Sequence, residues 1–145
     1  MSDHQYYMQQ AIDLAHLHKT PYAALLLERS SGAYILEANS TKVDGRTAHA
    51  EMNVIRRREE NQLFSDPADL ILYTTGEPCP MCMGAIIWTG IPKIYYGVSI
   101  TEIKNFHRQI IIPSAQIAEN SWMEIEIHSN ICYQACLKLF QEYGK

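Results

Sequence analysis

Apolar residues along this chain recur with two different spacings, and together they lay out a succession of helices and strands. From about residue 2 to 19, Met8, Ile12 and Ala15 share one face of a helical repeat, with Leu14 and Leu17 beside them. Pro21 ends that element. "YAALLLE" is a continuous apolar run of the kind a buried strand carries. "RSSG" is a turn and "AYILEA" a second strand, so the two form a hairpin. "NSTKVDGR" reads as a polar loop. A helix is expected from about Ala48 to Asn61, with Thr47 as its N-cap. "DLILYTT" is a short, strongly apolar strand. "CPMCMGAIIWTG" is helical, stops near Gly90 and Pro92, and places Trp88 in the core. "KIYYGVS" is another strand. Residues 100–112 show no clear period, and a short helix is expected after Pro113. "WMEIEIH" alternates as a strand does, and "ICYQACLKLFQEY" is a closing amphipathic helix.

A hairpin followed by helix–strand–helix–strand implies a mixed sheet covered on both faces, an α/β fold. Ligand sites in such sheets lie beyond strand ends, close to helix N-termini.

Composition narrows the class. The 145 residues, 47% hydrophobic and 19% charged, suit one compact domain over residues 1–145 with a real core. Lys and Arg number 12 against 16 Asp and Glu, a formal charge of −4, which is not the balance of a dedicated polyanion binder. A local basic patch would still matter more than the total. The start, "MSDHQYYMQQ", lacks a basic region followed by an apolar run, so no signal peptide is expected. No apolar run has the length of a membrane span, and the expected location is the cytoplasm, with no membrane partner.

Four cysteines fall into two pairs, Cys79/Cys82 and Cys132/Cys136. In a reducing compartment, close cysteines suggest metal binding or redox chemistry. Cys132 and Cys136 are one turn apart on an amphipathic helix and read as small core residues. Cys79 and Cys82 differ, because they open a helix inside "GEPCPMC". On a first turn both sulfurs share a face, and the positive end of a helix favours thiolates. Pro80 fits an early helix position and Pro78 keeps the approach extended. His49, in "TAHAEM", also opens a helix and offers a nitrogen ligand. One His and two Cys make a three-ligand zinc set with an open position. Glu51 would then lie beside water held by the ion, free to take its proton and deliver it elsewhere. A four-cysteine structural zinc site is the alternative, and it leaves His-Ala-Glu unexplained.

His49-Ala50-Glu51 with Pro78-Cys79-Pro80-Met81-Cys82 is the zinc deaminase signature. From about Pro21 to Val98 the chain resembles the cytidine deaminase-like superfamily. Within it, "TAHAE" and "EPCPMCMGAI" look most like the branch holding bacterial guanine deaminases, plant-type guanosine deaminases and tRNA adenosine deaminases. The resemblance implies a three-layer α/β/α sandwich with a five-stranded mixed sheet, and hydrolytic release of ammonia from an exocyclic amine. It implies that His49, Cys79 and Cys82 bind a zinc ion and that Glu51 is the catalytic proton shuttle. It places Asn39 where the family has an asparagine that holds base or ribose, and Tyr22 where the family often has phenylalanine after proline.

Glu102, Phe106 and His107 are candidates for lining the substrate pocket, and Glu142 and Tyr143 could reach a site from the C-terminal end. Guanine deaminases often carry acidic residues after the fourth strand; here Glu102 is the only one. Glu77 is expected to hold the cysteine loop by hydrogen bonds. The leading expectation is a small-molecule purine or nucleoside deaminase, such as one acting on guanine or guanosine. A tRNA adenosine deaminase comes second. A non-catalytic zinc module that binds RNA or protein comes third, and Glu51 has no purpose in it. The resemblance also implies a homodimer, which the apolar helix over 84–90 could support.

Overall fold

The structure is a computed structural model that describes residues 2–144. Its elements run in the order α1 (Asp3–His18), β1 (Ala23–Glu28), β2 (Tyr34–Ala38), α2 (Thr41–Asp44), α3 (Ala50–Glu60), β3 (Leu70–Gly76), α4 (Pro80–Thr89), β4 (Lys93–Val98), α5 (Ile100–Ile103), α6 (Ser114–Glu119), β5 (Glu126–His128) and α7 (Tyr133–Tyr143). Local chemistry explains where α1 begins and ends. Ser2 and Gln5 exchange hydrogen bonds in a capping box, and Lys19 closes the helix in a left-handed conformation at φ 53°.

The strands form one five-stranded sheet in the order β2-β1-β3-β4-β5. β1 is antiparallel to both β2 and β3, whereas β3, β4 and β5 are mutually parallel. Alternation along β1 explains its unbroken apolar run. Leu25 and Leu27 point to one face, where Met8 and Ile12 of α1 and Leu139 and Phe140 of α7 pack. Ala24 and Leu26 point to the other, against Val54 and Ile55 of α3 and Met83 and Ile86 of α4. Both faces are therefore covered, and the architecture is the expected α/β/α sandwich. Cys136 is wholly buried and sits directly over Gly97 of β4; a β-carbon at Gly97 would collide with its sulfur and stand 2.8 Å from the Thr75 carbonyl oxygen.

Four local expectations are corrected. Thr47 does not cap α3: the helix starts at Ala50, the cap position is His49, and Thr47 is exposed. Trp88 is not in the core but is 80% exposed, because α4 turns its Met83, Ile86 and Ile87 face inward. The loop read as purely polar contains the single turn α2. The last strand is only Glu126–His128, since pairing to β4 reaches no further back than Lys93 opposite Glu126. Among the described residues, no helix is long and apolar enough to cross a membrane.

Candidate active site

The N-termini of α3 and α4 meet on one face of the sheet, beyond the C-terminal end of β3. His49 occupies the cap position of α3 with extended backbone (φ −69°, ψ 155°), so its ring leaves the helix axis. Asn53, one turn on, fixes the loop before it. Its side-chain amide donates to the Ala38 carbonyl and to Ser40 Oγ, both at 2.9 Å. Cys79 is the corresponding cap residue of α4, followed by Pro80, whose missing N–H is not needed there. Cys82 lies one turn later and is fully buried.

His49 Nδ1 is 3.6 Å from the sulfurs of both Cys79 and Cys82. The ligand atoms of all three residues lie within 4.8 Å of one another. Zinc bonds of about 2.3 Å to sulfur and about 2.05 Å to nitrogen, at a tetrahedral angle, put nitrogen and sulfur about 3.6 Å apart. The cluster therefore fits zinc in spacing and in donor type, with the fourth direction left to the cleft. Its electrostatics agree. A hydrogen bond from Cys82 draws the Cys79 thiol down to about 4, with His49 assisting against the effect of burial. The same hydrogen bond, and then burial, drives Cys82 upward. Ligation of a cation takes both sulfurs as thiolates.

Glu51 lies in the first turn of α3 and is buried. Burial pushes its carboxyl up to about 7, with the neighbouring Cys79 adding to the shift and His49 opposing it. It draws a hydrogen bond from its own backbone N–H. Glu77, by contrast, is fully engaged. Its Oε1 accepts from the Ile100 N–H at 2.8 Å, and its Oε2 accepts from the Ser114 N–H at 2.7 Å and the Ser114 hydroxyl at 2.6 Å. It ties the cysteine loop to α5 and α6.

A cleft of about 830 Å³ opens onto this cluster, with His49, Glu51 and Cys79 on its floor. Asn39 lines it. The Asn39 Oδ1 accepts from the backbone N–H and hydroxyl of Thr41, both at 3.1 Å, which turns the amide NH₂ outward as a free donor. Tyr22 and His107 also line it, with the Tyr22 hydroxyl 3.1 Å from His107 Nδ1. Burial pushes the Tyr22 hydroxyl up to about 12 and lowers His107. Tyr143 reaches the cleft of its own chain, its hydroxyl 3.0 Å from His16 Nδ1, whereas Glu142 lies outside beside His16.

Two other candidates lie elsewhere. Glu102 does not line the cleft; it bonds to the Tyr133 hydroxyl. Phe106 packs against Phe140 at a ring-centroid distance of 5.8 Å. Glu102 sits on the helical turn Ile100–Ile103 and Phe106 in the turn beyond it, and both meet α7, an orientation that the aperiodic sequence there did not disclose. Sequence reasoning missed Ser114, the partner of Glu77, and the basic residues of the mouth, whose sole signal was their place in the polar stretches "HLHKT", "NSTKVDGR" and "FHRQ".

Residues 1–98 match the family described as the cytidine and deoxycytidylate deaminase zinc-binding region. A guanine deaminase of Bacillus subtilis is 34% identical over 107 residues, covering 69% of this chain and 67% of that protein. A tRNA-specific adenosine deaminase of Buchnera aphidicola is 31% identical over 101 residues, covering 68% of this chain and 63% of that protein. The chain thus spans about two thirds of the lengths of these curated relatives. A solved guanine deaminase from Nitrosomonas europaea shares the fold at a TM-score of 0.83 and 22% identity, covering 99% of this chain and 86% of that one. With the His/Cys/Cys cluster in place at the helix N-termini, the chain belongs to the cytidine and deoxycytidylate deaminase family of zinc-binding domains.

Proposed function

We propose that the protein is a zinc-dependent hydrolytic deaminase that converts a guanine ring to its oxo form and releases ammonia. The observation that carries this reading is Glu51. It is a buried carboxylate beside the metal cluster, on the floor of a cleft, and no other side chain of the described residues holds it. The likeness to the Bacillus guanine deaminase supports guanine as the base.

His49, Cys79 and Cys82 would hold the zinc, which, when bound, acts as a Lewis acid that makes water nucleophilic near neutral pH. Glu51 takes the proton as water adds to the ring carbon bearing the amine. It then hands that proton to the nitrogen, the C–N bond breaks, and ammonia leaves. A carboxyl poised by burial suits both halves of that exchange. Asn39 offers its free NH₂ to an acceptor on the substrate, and Tyr22 and His107 form one wall.

A second reading, adenosine deamination in tRNA, is supported by the likeness to the Buchnera enzyme. Ammonia release from guanine, guanosine, adenosine, cytosine, cytidine and a tRNA anticodon stem-loop distinguishes the two, with Glu51→Ala as the blank. Turnover of guanine or guanosine is expected. Turnover of the stem-loop alone replaces the first reading with the second.

The unit of function is taken to be residues 1–145 as one domain, since a single sheet joins both cores. A homodimer is part of the reading. Trp88 and Trp122 are 80% and 68% exposed and meet edge to face at 4.8 Å, beside Ile87 and Ile117. A second copy of the same face would cover both rings. A cytoplasmic location is supported by four free cysteines, which suit a reducing compartment.

A further inference from the structure

One wall of the cleft carries three side chains joined by hydrogen bonds. Tyr22 comes from the residue before β1, and His107 and Gln109 from the irregular stretch after α5. The Tyr22 hydroxyl stands 3.1 Å from His107 Nδ1, and the Gln109 amide nitrogen donates to the same hydroxyl at 3.4 Å. All three residues are half-buried and line the cleft that ends at Glu51. The order of donors follows from valence. An amide NH₂ only donates, so the Tyr22 oxygen accepts from Gln109 and gives its one proton to His107. His107 then accepts at Nδ1 and carries its own proton on Nε2. Burial lowers the His107 pKa, which agrees with a neutral ring.

Tyr22 is the fixed member of the three. Its backbone carbonyl accepts from the Asn39 N–H at 3.0 Å, and its ring meets Phe140 edge to face at 5.2 Å. A β-carbon at Gly76, the last residue of β3, would stand 3.4 Å from the Tyr22 ring, so the ring lies against the end of that strand. The reaction centre is near: besides burial, the charges of Glu51 and Cys79 raise the Tyr22 hydroxyl. Two polar atoms of the array have no partner among the described residues, His107 Nε2–H, a donor, and Gln109 Oε1, an acceptor. Neither is sealed away from solvent. A held wall with one free donor and one free acceptor suits a ring edge that carries the converse pair. The guanine ring has such an edge, the lactam formed by its C6 carbonyl and N1–H. Away from the exocyclic amine, the rings of adenosine and cytidine offer acceptors only.

We propose that His107 and Gln109, coupled through the Tyr22 hydroxyl, are the specificity-determining pair of this cleft and read the lactam edge of the ring. His107 Nε2–H donates to the carbonyl oxygen, and Gln109 Oε1 accepts from the ring N–H. The proposal rests on the guanine reading above and assigns the residues that select the ring. Tyr22 is a positioning residue, since its hydroxyl fixes the imidazole tautomer and turns the amide. A site built to hydrogen-bond a substrate group rejects an analogue that lacks it, because its own polar atoms are then left without partners.

The test is calorimetric binding of hypoxanthine and of purine, two rings that differ only in the lactam and carry no exocyclic amine. Zinc-loaded Glu51→Ala protein is used, so that neither ring is altered chemically. Hypoxanthine should bind about tenfold or more tightly than purine. His107→Phe and Gln109→Leu, each added to that protein, should shrink the margin at least about threefold while purine affinity stays within about twofold. Tyr22→Phe should shrink it likewise, whereas a merely structural role would weaken both ligands together. Equal affinities, or no binding of either ring, overturn the proposal. So does a margin that survives both His107→Phe and Gln109→Leu, or variants that weaken both ligands alike. Ammonia release from guanine by the parent protein is measured beside this. If none appears while the margin holds, the deaminase reading alone fails and the selecting pair stands.

Discussion

Two buried glutamates in this protein show how surroundings assign roles to one residue type. Both oxygens of Glu77 are engaged by Ile100 and Ser114, so its work is to hold loops together. Glu51 has its own backbone N–H and, nearby, the His/Cys/Cys group that could hold a metal, which leaves its carboxyl available for the proposed proton transfer. Glu51→Gln should therefore retain one zinc per chain by metal analysis while ammonia release falls by about 10²–10⁴-fold, the usual weight of general acid–base catalysis. Activity close to the parent's would remove Glu51 from the proposed chemistry. Cys82→Ala should do the reverse and lower zinc content first, because it removes one of three ligands. At this scale much was legible from residue types. His-Ala-Glu and Pro-Cys-Pro-Met-Cys carry donor chemistry in their spacing, and the fold needed only to bring them within 3.6 Å. The positions of Glu102 and Phe106 were not legible, because no period in residues 100–112 fixes which way a side chain points.

Among the elements, α3 and α4 matter most, since their N-terminal ends set the candidate metal ligands His49, Cys79 and Cys82. Their start points depend on neighbours. α3 begins after His49 because the preceding loop is fastened by Asn53, and Thr47 is left outside in water. The loop after β3 depends on Glu77. Glu77→Ala would strand the Ile100 N–H and the two donors of Ser114, and should cost about 2–4 kcal/mol in denaturant unfolding. An unchanged midpoint would mean that water replaces the carboxylate. β4 and α7 meet at Gly97, where Cys136 leaves no room for a side chain. Gly97→Ala should destabilise by about 1–3 kcal/mol, the range for overpacking a close-packed core. If the melting temperature does not move, α7 is more loosely seated than its buried Leu139 and Phe140 indicate.

For the whole molecule, what counts is how apolar surface and charge are distributed over the surface. Trp88 and Trp122 form an exposed apolar site on the α4 side of the sheet. If that face joins two copies, sedimentation should show a dimer that Trp88→Glu converts to monomer with the far-ultraviolet dichroism unchanged. A monomeric parent protein would dismiss the interface. Charge is uneven in the same way, with an acidic total and a basic mouth.

Most helices and strands, the two-sided sheet and the His/Cys/Cys trio that could hold a metal follow from the chain alone, because periodicity and donor type are local properties that survive in a one-dimensional string. Only the tertiary structure decided that Trp88 faces outward, that Glu77 meets Ser114 and that Lys19, Lys42, Arg46 and Arg108 surround one cleft. Those relations join residues far apart in sequence. They are set by which faces pack and where irregular loops come to rest, and no local period encodes either.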